Sequence, residues 1–174
     1  MLWPQGYVQV YTGPGKGKTT AALGLALRAA GAGLAVFFAQ FAKSGEYSEI
    51  KALARFADLI TVRQYGTGHF VRGRPSAEEI KAAREGFAEV KEIVRAQKHP
   101  VVILDEANVA IKFGLISLEN VLELIKEKPT PVELVLTGRW APEELIQAAD
   151  LVTYMEAVKH YYQAGVRARI GIEK

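Results

Sequence analysis

The sequence predicts a single α/β domain of three layers, spanning residues 1–174, in which helices cover both faces of a mostly parallel sheet. Two observations predict it. Apolar segments with strand character alternate with helix-prone segments along the chain, and no repeat, low-complexity tract or linker interrupts them. Several strand segments, such as residues 34–41, are almost continuously apolar, which is typical of parallel strands buried on both faces. Such a sheet needs right-handed crossovers and binds ligands at the carboxyl ends of its strands.

The predicted strands and helices follow one another in this alternating order. Strands are predicted at residues 7–12, 34–41, 59–65, 101–106, 132–138, 151–155 and 166–172. Helices are predicted between them at residues 18–30, 48–57, 77–97, 118–128 and 142–149. The segment 166–172 differs from the other strands because its apolar and polar residues alternate, which is typical of an edge strand with one face in water.

Capping residues set the expected helix ends. Gly31 ends the first helix. Ser48 and Ser117 have side chains that can cap helix amino ends, and Ser76 with Glu79 forms a capping box. The helix at 77–97 carries an apolar stripe, which predicts packing against the sheet and consists of Ile80, Ala83, Phe87, Val90 and Val94.

The first predicted strand leads into a glycine-rich loop that opens the first helix. The loop comprises Thr12, Gly13, Pro14, Gly15, Lys16, Gly17, Lys18, Thr19 and Thr20. A strand, a glycine-rich loop, Gly-Lys-Thr and a helix are together typical of a P-loop, whose backbone amides and helix amino end cradle phosphates. Lys18 is expected to contact phosphate oxygens, and the hydroxyl of Thr19 to ligate Mg²⁺. The alternative is a plain flexible loop, against which the flanking strand and helix argue.

The loop departs from the usual spacing at its first position. Thr12 stands where a glycine is usual, and the nearest glycine is Gly13. Gly13, Gly15 and Gly17 still leave the backbone free to form a phosphate cradle. The bound triphosphate therefore need not lie as it does in a common ATPase.

Two acids end the apolar strand at 101–106. Asp105 and Glu106 form the Walker B pattern, in which a carboxylate holds Mg²⁺ near Thr19 directly or through water. Neighbouring residues on a strand point to opposite faces, so we expect only one of the two acids to face the metal, and we favour Glu106. The alternative is a solvated acidic pair at a strand end.

Two arginines are candidate nucleotide-binding residues. Arg139 follows the strand at 132–138 on the same rim, and it is equally suited to binding phosphate and to pairing with a carboxylate. Arg28 lies about 15 Å from Lys18 along the first helix. It either reaches the nucleoside end of a bound nucleotide or is solvated.

A loop at residues 66–74 follows the third predicted strand. Its glycines, its arginines and the aromatic ring of Phe70 suit a mobile binding loop at a strand's carboxyl end. His69 alone is weak evidence for a metal ligand.

Composition limits the classes of function. The chain has no cysteine, which excludes disulfides, thiolate metal sites and a cysteine nucleophile. No apolar run approaches the roughly 20 residues that cross a bilayer, and the amino end lacks the features of a signal peptide, so we expect a cytoplasmic protein without a membrane partner. The formal net charge of +3 is too small to argue for a nucleic-acid partner.

The chain resembles the P-loop type of ATP:corrinoid adenosyltransferase. The matching stretches follow one another in the same order along nearly the whole chain. They lie at residues 12–24, 28–31, 40–43, 102–106, 136–139, 148–153, 159–160 and 164–173. A P-loop alone occurs in many families. The form Thr-Gly-x-Gly-Lys-Gly-Lys-Thr-Thr, joined to a terminal Lys-His and a Gly-Ile, is far more specific.

The resemblance implies a RecA-like fold and transfer of the 5′-deoxyadenosyl group of ATP to Co(I) of a reduced corrinoid, with triphosphate leaving. Co(I) is then the nucleophile, so no catalytic Ser, Cys or His is needed. The resemblance also implies a reversed ATP, a homodimer and a flavoprotein reductase that supplies Co(I). The implied catalytic residues are Lys18, Thr19 and Glu106, and the implied corrinoid-binding residues are Gly68, His69 and Phe70.

The chain departs from the family pattern in two places. The family loop that corresponds to residues 66–71 typically carries a Phe and a Trp around the corrinoid, whereas the matching positions here are His69 and Val71. This departure leaves open how the lower axial ligand of cobalt is displaced. Some members also carry an amino-terminal extension over the active site, and here about six residues precede the first strand, so we expect a more open site or one covered by a partner subunit.

Two rival functions stay open from the residues alone. A P-loop kinase or ATPase would cleave the β–γ bond of ATP and would usually need a base or a polarising group, which does not stand out here. A nucleotide-dependent switch or corrinoid chaperone would bind its ligands without turnover. The bond of ATP that breaks distinguishes these functions from adenosyl transfer.

Overall fold

A parallel sheet forms the central layer of the molecule. The computed structural model describes residues 3–68 and 73–173. The strands are β1 (Val8–Thr12), β2 (Val36–Phe41), β3 (Ile60–Tyr65), β4 (Val101–Asp105), β5 (Glu133–Thr137) and β6 (Leu151–Tyr154). They form one six-stranded sheet in the order β3-β2-β4-β5-β1-β6, and every pairing is parallel. All strand carboxyl ends therefore meet at one edge of the sheet.

Helices connect the strands in the predicted order. They are α1 (Lys18–Gly31), α2 (Ser48–Leu53), α3 (Ala77–Ala96), α4 (Ala107–Lys112), α5 (Leu118–Glu127) and α6 (Glu143–Ala148), with 3₁₀ turns at Ala54–Phe56 and Tyr161–Ala164. The capping box of Ser76 and Glu79 is confirmed, as is the cap of α5 by Ser117. Ser48 does not cap α2, because Tyr47 occupies that position and α2 begins at Ser48 itself. The sequence patterns did not predict α4, which directly follows Glu106.

The core lies on both faces of the sheet, which confirms the three-layer prediction. Alternate residues of β2 point to opposite faces. Phe38 packs with Ala22 and Ala26 of α1 on one face, whereas Phe37 belongs to the cluster that contains Phe87 of α3 on the other. Each of these buried aromatic side chains contributes about 2 kcal/mol relative to an exposed one. The small alanines let α1 approach the sheet closely, which fixes the helix whose amino end follows the P-loop.

The predicted strand at residues 166–172 was wrong. These residues form no strand, and β6 is the sheet edge on this side, paired with β1 alone. Both Val166 and Ile170 are exposed, so the alternation of apolar and polar residues does not mark one dry face and one wet face. Among the described residues, no helix is both long and apolar enough to cross a membrane.

Candidate active site

The P-loop lies at the carboxyl edge of the sheet, between the end of β1 and the start of α1. Gly13 and Gly17 have φ values of 101° and 122°, a region that favours glycine. A Cβ on Gly15 would lie 2.7 Å from the carbonyl oxygens of Met155 and Glu156, so only glycine permits this close approach. Gly17 precedes the first residue of α1 without a side-chain cap. The helix amino end is therefore open to an anion.

Lys18 folds back over this loop. Its Nζ donates hydrogen bonds to the carbonyl oxygens of Gly13 at 2.7 Å and Gly15 at 2.6 Å. Burial and the nearby Arg139 lower the pKa of Lys18, although Glu106 and Asp105 oppose the shift. The ammonium group is thus held inside the P-loop, where it could donate charge-assisted hydrogen bonds to a bound phosphate.

Asp105, the last residue of β4, joins the start of α1 to the ends of β2 and β5. Its Oδ1 accepts hydrogen bonds from the hydroxyls of Thr19 at 2.8 Å and Thr137 at 2.7 Å. Its Oδ2 accepts from the Gln40 amide at 3.1 Å and lies 3.5 Å from the Lys43 ammonium. Asp105 is completely buried, and both of its oxygens are occupied by these donors. This carboxylate therefore positions the hydroxyl of Thr19 and the charge of Lys43.

Glu106 turns away from its neighbour and lines a cavity instead. Its backbone is left-handed, with a φ of 59°, and its N–H donates to the hydroxyl of Thr137 at 3.1 Å. Burial and the charge of Asp105 raise the pKa of Glu106 to about 7, against the opposing influence of Lys43, Lys18 and Arg139. The two adjacent acids thus occupy different surroundings, because β4 ends at Asp105 and the left-handed backbone of Glu106 directs its side chain to the cavity.

The cavity that Glu106 lines has a volume of about 810 Å³. Ligand sites commonly have volumes of about 300–1,000 Å³. Its walls come from the P-loop, from the segments after β2, β4 and β5, and from the end of the chain. The lining includes residues 15–20, Leu23, Lys43, Tyr47, Glu49, Glu106, Arg139, Trp140, His160 and residues 171–173. The cations Lys16, Lys18, Lys43 and Arg139 outnumber the carboxylates among these residues, which suits an anionic ligand.

Three segments around the cavity carry strained backbone. Ala42, Glu106 and Trp140 have φ values of 58°, 59° and 61°, and each follows the end of a strand at this edge. Left-handed backbone is costly for residues other than glycine, and such strain tends to cluster at functional sites. Glu106 and Trp140 themselves line the cavity, and Ala42 directly precedes Lys43, which also lines it.

The structure brings together most of the nucleotide-site residues that the sequence predicts. Lys16, Lys18, Thr19, Thr20 and Arg139 line the cavity with Gly15, Gly17 and Glu106, whereas Gly13 and Pro14 form the turn just before them. Thr12 is the last residue of β1, and its hydroxyl accepts a hydrogen bond from the Ala141 N–H at 3.2 Å.

Two of the predicted residues, Arg28 and Gly68, are not part of the cavity lining. Arg28 is exposed in the last turn of α1 and does not line the cavity. Gly68 is exposed, with a φ of 94°, and His69 and Phe70 lie outside the described residues. The roles predicted for Arg28 and for residues 68–70 therefore stay predictions.

The structure adds cavity residues that the sequence analysis did not single out. Lys43 lies two residues beyond β2 and approaches both Asp105 and Glu49. Trp140 follows Arg139, and Ile172 and Glu173 reach the cavity from the end of the chain. The position of Lys43 just after a buried strand is a signal that could have identified it, since neighbouring strand ends share one edge.

Comparisons with known proteins agree with this geometry. The family model described as ATP:corrinoid adenosyltransferase BtuR/CobO/CobP matches residues 4–173. A corrinoid adenosyltransferase of Sinorhizobium sp. is 35% identical over 97% of this chain and 80% of its own length. Proteins of the same description from Pseudomonas aeruginosa and Escherichia coli K12 are 34% and 32% identical, again over 97% of this chain, and over 84% and 86% of their own lengths.

A solved structure supports the fold. The crystal structure of flagellar accessory protein FlaH from Methanocaldococcus jannaschii matches with a TM-score of 0.58 and 12% identity, covering 87% of this chain and 71% of that one. This likeness concerns the fold alone, and with the P-loop it confirms the predicted three-layer, RecA-like class. The family model and the relatives confirm the resemblance found in the sequence, and the chain belongs to the family of ATP:corrinoid adenosyltransferases.

Proposed function

We propose that this chain transfers the 5′-deoxyadenosyl group of ATP to Co(I) of a reduced corrinoid and releases inorganic triphosphate. The observation that carries the proposal is the convergence of Lys18, Lys43 and Arg139 on one P-loop cavity in a member of this family. Triphosphate is a leaving group that gains negative charge as its bond to carbon breaks. Cations preorganised around it stabilise that charge in the transition state.

The bond changes require little chemistry from the protein. An electron pair of Co(I) forms the bond to C5′ of ATP, the bond from C5′ to the triphosphate oxygen breaks, and its electron pair leaves with triphosphate. Cobalt is formally oxidised by two electrons, and no proton moves. The side chains therefore serve to align the two substrates and to stabilise the leaving group.

Oxygen donors in the cavity fit Mg²⁺. The hydroxyl of Thr19 is fixed by Asp105, and the carboxylate of Glu106 faces the same cavity. Mg²⁺ prefers such hard oxygen ligands together with phosphate oxygens. We assign Thr19 and Glu106 as the residues that would hold the ion, with Asp105 orienting Thr19 because both of its oxygens already accept hydrogen bonds. The ion, when bound, would neutralise phosphate charge.

The corrinoid is assigned to the loop that begins at Gly66, which includes Gly68, His69 and Phe70. A Cβ on Gly66 would lie 2.7 Å from the carbonyl carbon of Lys43, so the start of the loop contacts a segment that lines the cavity. A homodimer, a flavoprotein reductase and a cytoplasmic location remain predictions from the sequence and its resemblance.

An anaerobic reaction tests the proposal. The protein is incubated with ATP, Mg²⁺ and chemically reduced cob(I)alamin, and the visible spectrum and the phosphate products are followed together. We expect triphosphate in step with the new cobalt–carbon bond. Stoichiometric ADP and phosphate would instead indicate a kinase or ATPase, and tight binding without any product would indicate a switch.

A further inference from the structure

The end of the chain is fixed on the P-loop at two points. We call residues 155–173 the C-terminal segment. At its start, the Gly15 N–H donates to the Met155 carbonyl oxygen at 2.7 Å. Near its end, Lys16 Nζ donates to the Ile172 carbonyl oxygen at 2.7 Å. Two neighbouring P-loop residues thus hold both ends of the C-terminal segment.

Glu173 reinforces the second of these points. Its carboxylate lies 3.6 Å from Lys16 Nζ and accepts hydrogen bonds from the hydroxyl of Tyr161 and from Arg169. The Arg169 backbone N–H also donates to it at 2.9 Å, and the Arg169 guanidinium lies over the Tyr161 ring. Hydrogen bonds from Arg169 and Tyr161 lower the pKa of Glu173 to about 2. Glu173 is therefore an anion that Lys16, Arg169 and Tyr161 share.

Few other contacts fix the position of the end of the chain. Most described residues of the C-terminal segment are exposed, so they bury little surface that could hold it in place. Yet Gly171, Ile172 and Glu173 line the same cavity as Lys18 and Glu106. An isolated surface ion pair contributes little, but a network of several charged hydrogen bonds can hold a segment in one position.

We propose that Lys16 and Glu173 are positioning residues for ATP, which hold the C-terminal segment as one wall of the nucleotide cavity. Lys16 then affects ATP binding by holding the C-terminal segment in place, whereas a P-loop lysine would ordinarily be expected to contact a phosphate. The proposal rests on the proposed function only in taking this cavity as the ATP site. The negative charge of Glu173 by itself would weaken ATP binding, because it repels the triphosphate. In this proposal Glu173 nevertheless strengthens ATP binding by holding the wall in place.

Binding of Mg·ATP in the absence of corrinoid tests the proposal, by calorimetry on the wild-type chain, Lys16→Ala, Glu173→Gln and the double variant. We expect Glu173→Gln to weaken ATP binding at least about fivefold, although it removes a negative charge from the cavity. Lys16→Ala should weaken binding, and the double variant should be within about twofold of Lys16→Ala alone, because both substitutions release the same wall. Unchanged or tighter binding by Glu173→Gln, or effects that simply multiply, would overturn the proposal.

Two further variants keep the test decisive. Arg167→Gln is the matched control, since this exposed cation of the same segment has no ion pair among the described residues, and its ATP affinity should equal that of the wild type. Tyr161→Phe removes one donor to Glu173 and keeps the ring under Arg169, so it should weaken ATP binding in the same direction. If Glu173→Gln does not fold, an unchanged affinity in Tyr161→Phe overturns the proposal. The product assay on the wild type separately reports whether the chain transfers adenosyl groups.

Discussion

The hydroxyl of Thr19 donates a hydrogen bond to Asp105 Oδ1 across 2.8 Å, which ties the P-loop to the end of β4. Thr137, at the end of β5, donates to the same oxygen at 2.7 Å. With its proton engaged by Asp105, the Thr19 hydroxyl is left with its lone pairs for a cation. The two acids therefore have different roles: Asp105 orients the hydroxyl of Thr19 from within the core, and Glu106 faces the cavity.

The first prediction concerns the P-loop side chains. Lys18→Ala removes a cation that stabilises departing triphosphate, and Thr19→Ala removes a hydroxyl assigned to Mg²⁺. Each should lower kcat by at least ~10²-fold, the scale for loss of one preorganised electrostatic group. Steady-state kinetics at saturating ATP and Mg²⁺ measure this, with Thr19→Ser as the control that keeps the hydroxyl. Near-normal kcat in both alanine variants would remove the P-loop from the mechanism.

The second prediction separates the two acids. Glu106→Gln should raise the Mg²⁺ concentration needed for half-maximal activity, because an amide is a weaker ligand for a hard cation than a carboxylate. Asp105→Asn should instead lower kcat and the free energy of unfolding. The amide nitrogen of Asn donates hydrogen bonds and accepts none, so at least one buried donor that faces Asp105 would be left unpaired. Mg²⁺ titrations and urea unfolding of both variants provide the measurement, and small, equal shifts in Mg²⁺ dependence would mean that neither acid is a ligand.

The third prediction is a dependence of stability on pH without ligands. The pKa of Glu106 is raised from 4.5 to about 7 in the folded chain, so the folded state holds a proton that the unfolded state releases. The free energy of unfolding should therefore fall as pH rises from about 4.5 to about 7, by about 3 kcal/mol. Urea unfolding across this range measures the fall. Glu106→Gln, which cannot ionise, should flatten it, and an equally steep fall in that variant would assign it to other groups.

The P-loop and the buried strands were predictable because their signals are local. Residues 12–20 carry the strand end, the glycines and the helix start within one short stretch, so the order of residues alone indicates the turn. The pair Asp105 and Glu106 is likewise recognisable from its position at the end of an apolar segment, although a left-handed turn at Glu106, and not strand alternation, gives the two acids separate surroundings. The sequence does not reveal which of the two acids contacts Thr19, since that contact joins residues 86 positions apart in the chain.

Other parts of the site depend on contacts between distant residues. Glu173 reaches Lys16 across almost the whole chain, and no pattern near either residue encodes that pair. The alternation at 166–172 suggested a strand because a period of two fits both a half-buried strand and an exposed segment with scattered apolar residues. No local pattern establishes the role of Lys43, because its significance comes from Asp105 and Glu106, which lie at the end of the neighbouring strand β4 and just beyond it.

The last prediction concerns the loop that begins at Gly66. Phe70 follows from the sequence as an apolar face for the corrin ring, and the phosphate cradle is formed elsewhere, at Gly13 to Lys18. Phe70→Ala should raise KM for the corrinoid or lower kcat, while the affinity for ATP stays within about twofold of the wild type. Phe56→Ala, which truncates an exposed phenylalanine that does not line the cavity, serves as the control and should change neither substrate's parameters. Initial rates with both substrates varied, combined with ATP binding in the absence of corrinoid, decide the assignment. A collapse of ATP affinity with unaltered corrinoid kinetics would place this loop in the nucleotide site and the corrinoid elsewhere.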